Sequence, residues 1–212
     1  MMRVSLIALA LMATPLAAQE GPRAHLNEGE TIEVELRADL NGDRNPDLAY
    51  VAAMEDQREL RVVISYADEL SFGELPVQTL ALDAYPLADA VLAVKGSARG
   101  KVLLIEELTG GTTAVASTHR FRWDEAQGKM MLSGLDATLY SRTFAHDGRE
   151  ASWNLLTGDL ITRTLQLNTG NGDAAYRKVD EKRSKKPSPP LTLDQSPSGD
   201  QLLGWPVAGP DQ

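Results

Sequence analysis

Short apolar runs separated by turn residues fill the middle of the chain, and they constrain its fold more than any other feature. In residues 31–37, Ile32, Val34 and Leu36 alternate with polar residues, which is typical of a strand with one buried face. Residues 48–54 are almost continuously apolar, which is typical of a strand covered on both faces. Further runs of strand length lie at 60–66, 77–82, 90–94, 102–108, 114–123, 130–135, 139–145, 151–156 and 160–167.

This pattern predicts an all-β fold, namely an antiparallel sandwich, a barrel or a curved meander of about ten short strands. Glycine-containing links between the runs, such as residues 126–128 and 157–159, favour hairpins between neighbouring strands. No repeat of about 20–50 residues is visible, so a complete propeller is disfavoured. Residues 30–182 are therefore predicted to form a single β domain, which is long enough to bury its own core.

Residues 1–18 have the pattern of a secretory signal peptide. Arg3 provides a basic start, residues 4–13 form an uncharged apolar run, and Pro15 precedes the small residues that end at Ala18. We predict cleavage after Ala18, with residues 19–29 as an N-terminal lead-in. The apolar run is too short for a hydrocarbon core of about 30 Å, and the chain has no cysteine that could carry a lipid. We therefore expect a soluble bacterial protein without a membrane anchor, either periplasmic or secreted.

The C-terminal residues 183–212 contain six of the eleven prolines. Proline fixes φ and removes a backbone donor, so this composition predicts a disordered, proline-rich tail. The charged stretch at 178–186 precedes the tail and is interpreted as a solvated domain edge in preference to a binding site for an acidic polymer.

The charge balance and the absence of cysteine exclude several classes of function. The chain carries 21 basic and 30 acidic residues, a net charge of -9, which disfavours general nucleic-acid binding because that requires a basic surface. Without cysteine there is no disulfide framework, cysteine nucleophile or iron–sulfur cluster.

One stretch of polar residues has the spacing of a metal-binding loop. Oxygen-bearing side chains occupy every second position at Asp39, Asn41, Asp43, Asn45 and Asp47. A loop wrapped around an ion presents alternate residues inward, and Ca²⁺ prefers six to eight oxygen ligands. The spacing therefore predicts a structural calcium site. The alternative is a solvated loop of Asx turns that needs no metal.

These residues resemble the calcium loop of FG-GAP and VCBS-type repeats, whose pattern is roughly D-x-[DN]-x-D-G-x-x-D-L. The resemblance covers one copy, residues 39–48, and the strand that follows it. It implies side-chain ligands at Asp39, Asn41, Asp43 and Asp47 and a carbonyl ligand at Asn45. The chain departs from the pattern because Arg44 stands where the family has glycine. An EF-hand is excluded, because the twelfth loop residue is Tyr50 instead of the bidentate glutamate.

Two other groups of residues on the strands are candidate sites. Ser117 and His119 fall on one face of a predicted strand, but no nucleophile elbow surrounds the serine, so a core histidine is the favoured interpretation. Arg120 and Arg122 lie on the opposite face, where they could bind a carboxylate or phosphate. Ion pairs with Glu106 and Glu107 of another strand are the favoured interpretation.

The sequence thus predicts an exported, non-enzymatic β domain that has a binding or scaffolding role toward an unknown protein or glycan. One alternative is a secreted glycan-acting hydrolase, whose carboxylates cannot be chosen among thirty acids. Another is a carbohydrate-binding module that uses Trp123 or Trp153. A cleft with two close carboxylates of raised pKa would favour the hydrolase, and an exposed aromatic strip would favour the carbohydrate-binding module. A filled interior without a deep pocket would favour the scaffold.

Overall fold

The computed structural model describes residues 21–67, 71–168 and 174–205, and these residues form mostly β-structure. The described strands are β1 (Thr31–Ala38), β2 (Asp47–Ala53), β3 (Arg58–Val63), β4 (Ser65–Ala67), β5 (Phe72–Glu74), β6 (Gln78–Leu82), β7 (Ala88–Ser97), β8 (Gly100–Gly110), β9 (Thr113–Asp124), β10 (Lys129–Ser141), β11 (Gly148–Asn154), β12 (Asp159–Leu167) and β13 (Tyr176–Lys185). The described helices are two 3₁₀ turns, Pro22–His25 and Leu193–Gln195, and a short α-helix, α1 (Gly199–Leu203).

The strands form two large antiparallel sheets and one small one. The first large sheet has the order β1-β2-β3-β6, and the second is a meander with the order β13-β12-β11-β10-β9-β8-β7. The β4 and β5 strands pair only with each other. The prediction of an all-β antiparallel fold is therefore confirmed, and the described residues contain neither a propeller nor a closed barrel.

The main hydrophobic core lies between the two large sheets. Its buried members come from both sheets and from the C-terminal segment: Leu40, Ala49, Val51, Leu60, Val62, Ile64, Leu80, Ala90, Leu103, Ile105, Phe121, Met130, Leu132 and Leu193. Val34 and Leu36 pack against this core from β1, on the face that their alternation predicts. Burial of this apolar surface holds the two sheets together.

The β2 strand is covered on both faces, as its continuous apolar sequence predicts. Ala49 and Val51 belong to the main core. Tyr50 and the other residues of opposite phase form a second cluster, against which Leu26 packs from the N-terminal lead-in. The lead-in therefore covers the outer face of the four-stranded sheet.

The two runs at 130–135 and 139–145 belong largely to one strand, β10, which ends at Ser141. The register of β10 against β9 shifts between Leu132 and Gly134, so a bulge interrupts the apolar alternation without ending the strand. At Gly134 a β-carbon would lie 2.6 Å from Nε of Arg120, so glycine allows that side chain to cross the bulge.

The structure differs from the expectation of a disordered tail after residue 182. The β13 strand continues to Lys185, and Thr192 forms an isolated bridge with Met131 of β10. The 3₁₀ turn that follows places Leu193 in the main core. The prolines exclude regular strand pairing but are compatible with an extended segment whose few apolar side chains pack onto the sheets. We refer to residues 187–205 as the C-terminal arm.

The predicted signal peptide and residues 206–212 lie outside the described residues. Within the described part of the chain, no helix is long and apolar enough to cross a membrane.

Candidate functional site

The predicted calcium loop joins β1 to β2, and its side chains bind its own backbone. The amide of Gly42 donates to Asp39 Oδ1 at 2.6 Å. The amide of Asp43 donates to Asn41 Oδ1 at 3.0 Å, and that of Asn45 donates to Asp43 Oδ1 at 2.7 Å. This series of Asx turns gives the loop its shape, because each side-chain oxygen satisfies a nearby amide.

Asp47 anchors the loop to the start of β4. Its Oδ2 accepts the amides of Leu40 at 2.6 Å and Asn41 at 3.3 Å, while its Oδ1 accepts the amide of Ser65 at 2.9 Å. The residue is buried, and burial raises its pKa in spite of these three amides. Asp47 therefore has a structural role that does not depend on a metal.

The ammonium of Lys101 on β8 lies beside the first predicted ligand. Lys101 Nζ is 3.0 Å from Asp39 Oδ2. Burial acts to raise the pKa of Asp39, but the hydrogen bonds from Lys101 and the loop amides outweigh it, so the pKa is lowered. Asp39 is therefore ionised at neutral pH and already faces one cation.

The predicted ligands are all oxygen donors in one loop, as calcium prefers, and the side-chain oxygens of Asn41 and Asp43 that accept one amide each keep a second lone pair. Asp47 is the least available of the five, because it is buried and its Oδ2 already accepts two amides. Arg44 has φ 74°, so it adopts the left-handed conformation that the family pattern assigns to glycine. In the described residues, however, no three Asp, Glu, His or Cys side chains converge as a metal site.

The arginines of β9 do not pair with the glutamates of β8 as expected. Arg120 pairs with Asp136 of β10, and Arg122 donates to Ser97 Oγ at 2.6 Å. The expected pairs with Glu106 and Glu107 are therefore wrong, because Asp136 lies on the neighbouring strand on the same face and Glu107 points inward.

The two tryptophans considered for carbohydrate binding do not form an exposed strip. Trp153 is 3% exposed and donates its indole N–H to the carbonyl of Lys186 at 2.8 Å. Trp123 packs against the main core. In the described residues these two rings therefore do not supply the exposed aromatic strip expected of a carbohydrate-binding module.

A cleft of about 240 Å³ lies between the two large sheets and is bordered by the C-terminal arm. It is lined by acidic, neutral polar and apolar groups, among them Leu80, Asp83, Glu107, His119, Pro197 and Asp200. At Gly199 a β-carbon would lie 2.8 Å from Ser117 Cβ, so glycine allows α1 to pack directly on β9. The arm thus forms one wall of the cleft.

Glu107 is the most strongly perturbed carboxyl group of the cleft. Its side chain is 8% exposed, and Arg58 Nη1 lies 3.3 Å from its Oε1. The same guanidinium makes two shorter hydrogen bonds to Glu33, at 2.7 and 2.8 Å. Burial, reinforced by the charges of Asp83 and Glu33, raises the pKa of Glu107 to about 7 although Arg58 opposes it.

His119 is a neutral, buried member of the same cleft. Its Nε2 lies 2.9 Å from the carbonyl oxygen of Pro197, so Nε2 carries the proton and donates. Burial lowers the pKa of the ring, which leaves Nδ1 unprotonated. Nδ1 is a buried acceptor without a hydrogen-bond partner among the described residues. The favoured interpretation of a buried histidine beside the aromatic core is confirmed, since His119 is 2% exposed and stacks on Phe121.

The alternation of β8 does not indicate the cleft in the sequence. Residues 102–105 are buried in both phases, so Glu106 and Glu107 each follow buried residues, but Glu106 is exposed and only Glu107 points inward. The partner of Glu107, Arg58, lies 49 residues away in sequence, and the arm that borders the cleft is more distant still.

No protein-family model, curated protein or solved structure matches the chain. The likeness to FG-GAP and VCBS-type loops therefore stays a resemblance of ten residues.

Proposed function

We propose that this protein is an exported, non-enzymatic binding domain of the bacterial periplasm or the extracellular space. The signal-peptide pattern of residues 1–18 supports export. The cleft between the sheets supports a binding role over a purely scaffolding one, because it is a polar opening where a scaffold is expected to have a filled interior. His119, which lines it, also contains a buried acceptor, Nδ1, that no described group satisfies. An unsatisfied buried acceptor destabilises the free protein unless a ligand or ordered water supplies a donor.

We further propose that the loop from Asp39 to Asp47 binds calcium in a structural role. The oxygen-only donor set and the left-handed conformation of Arg44 support this proposal. The affinity is expected to be weak, about 10⁻⁴ to 10⁻³ M, as in extracellular modules. Calcium stiffens the connection between β1 and β2 and thereby contributes to stability.

Thermal unfolding of the mature chain, with calcium or with chelator, tests the calcium proposal. We expect calcium to raise the melting temperature and Asp43→Ala to abolish the rise. Asp56→Ala, in an exposed turn between β2 and β3, serves as the matched control and should keep the full response. Melting curves that are identical with calcium and with chelator would refute the calcium site.

Capture experiments with native envelope extract test the binding role. The mature wild type, with and without calcium, is compared with a double variant, Glu107→Gln with Asp200→Asn, that preserves side-chain shape in the cleft. We expect a partner protein or glycan that the wild type retains and the double variant loses. Retention that is equal for both proteins would place binding elsewhere, and the absence of any retained component would count against the binding role.

The cleft also gives specific support to the alternative of a glycan-acting hydrolase. Glu107 has a pKa of about 7, and burial together with the charge of Asp83 raises the pKa of Asp200 in the same cleft. A carboxyl group that is partly protonated near neutral pH can serve as a general acid. Release of reducing ends from envelope glycans, lost in Glu107→Gln, would establish this activity in place of the non-enzymatic role, and no release would exclude it.

A further inference from the structure

We propose that the cleft bordered by the C-terminal arm binds an organic cation, through an alkyl-ammonium or guanidinium group. This inference rests on the proposed binding function and names the chemical class of the ligand. It combines three observations on the cleft: its charge, an unsatisfied acceptor, and the arrangement of its acidic and apolar groups.

The charge of the cleft is negative and incompletely neutralised. Its lining contains the carboxyl groups of Asp83, Glu107 and Asp200, and no lysine or arginine lines it among the described residues. Arg58, which lies behind Glu107, is occupied by Glu33 and by the carbonyl of Asp83 at 2.7 Å. One guanidinium therefore faces two carboxylates, and a cation in the cleft would supply the missing charge.

His119 indicates that the ligand is a hydrogen-bond donor. The ring is 2% exposed, its Nε2–H is used by Pro197, and its Nδ1 lone pair has no partner in the described structure. The carboxylates of the cleft are likewise acceptors. A ligand that carries several N–H donors complements such a wall, whereas an anion or a ligand with acceptors only does not.

The arrangement of the groups suits an organic cation. The acids line a cleft of about 240 Å³ that also presents Leu80 and Pro197. These side chains can accommodate the alkyl part of an amine, and sites for drug-sized ligands are larger, at about 300–1,000 Å³. The cleft thus suits a small amine or a single side chain.

The probes distinguish two possible sources of the cation, a free amine and a side chain of a partner protein. Agmatine represents a free amine, and a blocked Gly-Arg-Gly peptide represents a side chain of a partner protein. The same peptide with citrulline in place of arginine keeps the shape and removes the charge. Binding of each probe to the mature chain is followed by NMR of the backbone amides.

We expect saturable shifts at Glu107, His119 and Gln201 with at least one cationic probe, and none with the citrulline peptide. Glu107→Gln should weaken binding by about tenfold or more, since it removes a charge-assisted hydrogen bond. Asp83→Asn removes a negative charge from an exposed residue of the cleft and leaves the buried residues unchanged. It should therefore also weaken binding of the cationic probes. Glu181→Gln, on β13, is the matched control and should leave the affinity unchanged.

The outcomes distinguish the ligand class from the binding function. Two results would contradict the ligand class and keep the binding function. In the first, the citrulline peptide binds as well as the arginine peptide. In the second, a neutral oligosaccharide shifts these resonances and neither cationic probe does. If none of the probes shifts these resonances and envelope capture is independent of the cleft, both proposals fail. Weaker binding of Glu107→Gln with unchanged binding of Glu181→Gln would support both.

Discussion

At the residue scale, Lys101 is a cation that already lies beside the proposed calcium loop and should lower its affinity for calcium. Its ammonium lies 3.0 Å from Asp39 Oδ2, and its side chain is 42% exposed, so it can move away at little cost. If the loop binds calcium as proposed, the ion must compete with this ammonium for the carboxylate. We therefore predict that Lys101→Met tightens calcium binding severalfold, measured by isothermal titration calorimetry.

Lys101→Arg is the control, because it keeps a cation beside Asp39 and should leave the affinity close to that of the wild type. Weaker calcium binding in Lys101→Met would contradict this competition and would indicate that the lysine stabilises the loop in its binding conformation.

Glu107 couples folding to pH through a carboxyl group that resists ionisation. Its pKa is about 7 in the folded chain against an ordinary value of 4.5, so the folded state binds more protons than the unfolded state between these values. The free energy of unfolding therefore falls as pH rises through this window, by about 3 kcal/mol in total. We predict that Glu107→Gln removes this dependence and unfolds at higher urea concentration than the wild type at pH 8.

Urea unfolding across this pH window gives the free energy of unfolding of the wild type and of Glu107→Gln. In the difference between the two values, the contributions of all groups that titrate equally in both proteins cancel. Glu181→Gln removes surface ion pairs but leaves Glu107 in place, so it should keep the fall in stability of the wild type as pH rises toward the pKa of Glu107. Parallel pH profiles for the wild type and Glu107→Gln would show that this carboxyl group ionises normally.

At the scale of elements, the C-terminal arm contributes to the core in spite of its prolines. Leu193 is 1% exposed and packs with buried residues of both large sheets. Loss of its side chain leaves a cavity, so Leu193→Ala should lower the free energy of unfolding by about 2–5 kcal/mol in chemical denaturation. Leu202→Ala, at a partly exposed position of α1, should cost about 1 kcal/mol or less. Equal and small effects would mean that the arm is not part of the folded core.

The strands of this protein could be predicted from sequence where burial follows the alternation of side chains. The β1 strand and its neighbour β2 show this, because Ile32, Val34 and Leu36 alternate and the residues of β2 are buried on both faces. Prediction failed where distant segments supply the contact. The bulge of β10 depends on Arg120 of the adjacent strand, and the arm is ordered by core residues far away in sequence.

For the candidate sites, the same distinction holds. The oxygen-rich loop is local in sequence, so its position between β1 and β2 was predicted and is found. The cleft forms because Glu107 and His119 lie close in space to Asp83 and the C-terminal arm. These segments are far apart in sequence, so no local spacing of residues predicts their contact.

At the scale of the whole molecule, the proposed export makes the mature chain slightly more acidic. Removal of residues 1–18 takes away Arg3 and no acid, so the charge changes from -9 to -10. We predict that intact-mass spectrometry of the protein from the periplasmic fraction or the medium gives a chain beginning at Gln19. A full-length chain confined to the cytoplasm would contradict export, and a variant with Ile7→Arg, which interrupts the apolar run, should stay inside the cell.

Our proposal for the cleft requires that Glu107 is an incompletely neutralised carboxyl group that a cationic donor can neutralise. A ¹³C NMR titration of the Glu107 side-chain carboxyl, in the mature chain with and without saturating agmatine, tests it most directly. We predict a pKa of about 7 in the free protein and a lower pKa with agmatine bound. A pKa near 4.5 in the free protein, or one that agmatine leaves unchanged, would contradict the claim.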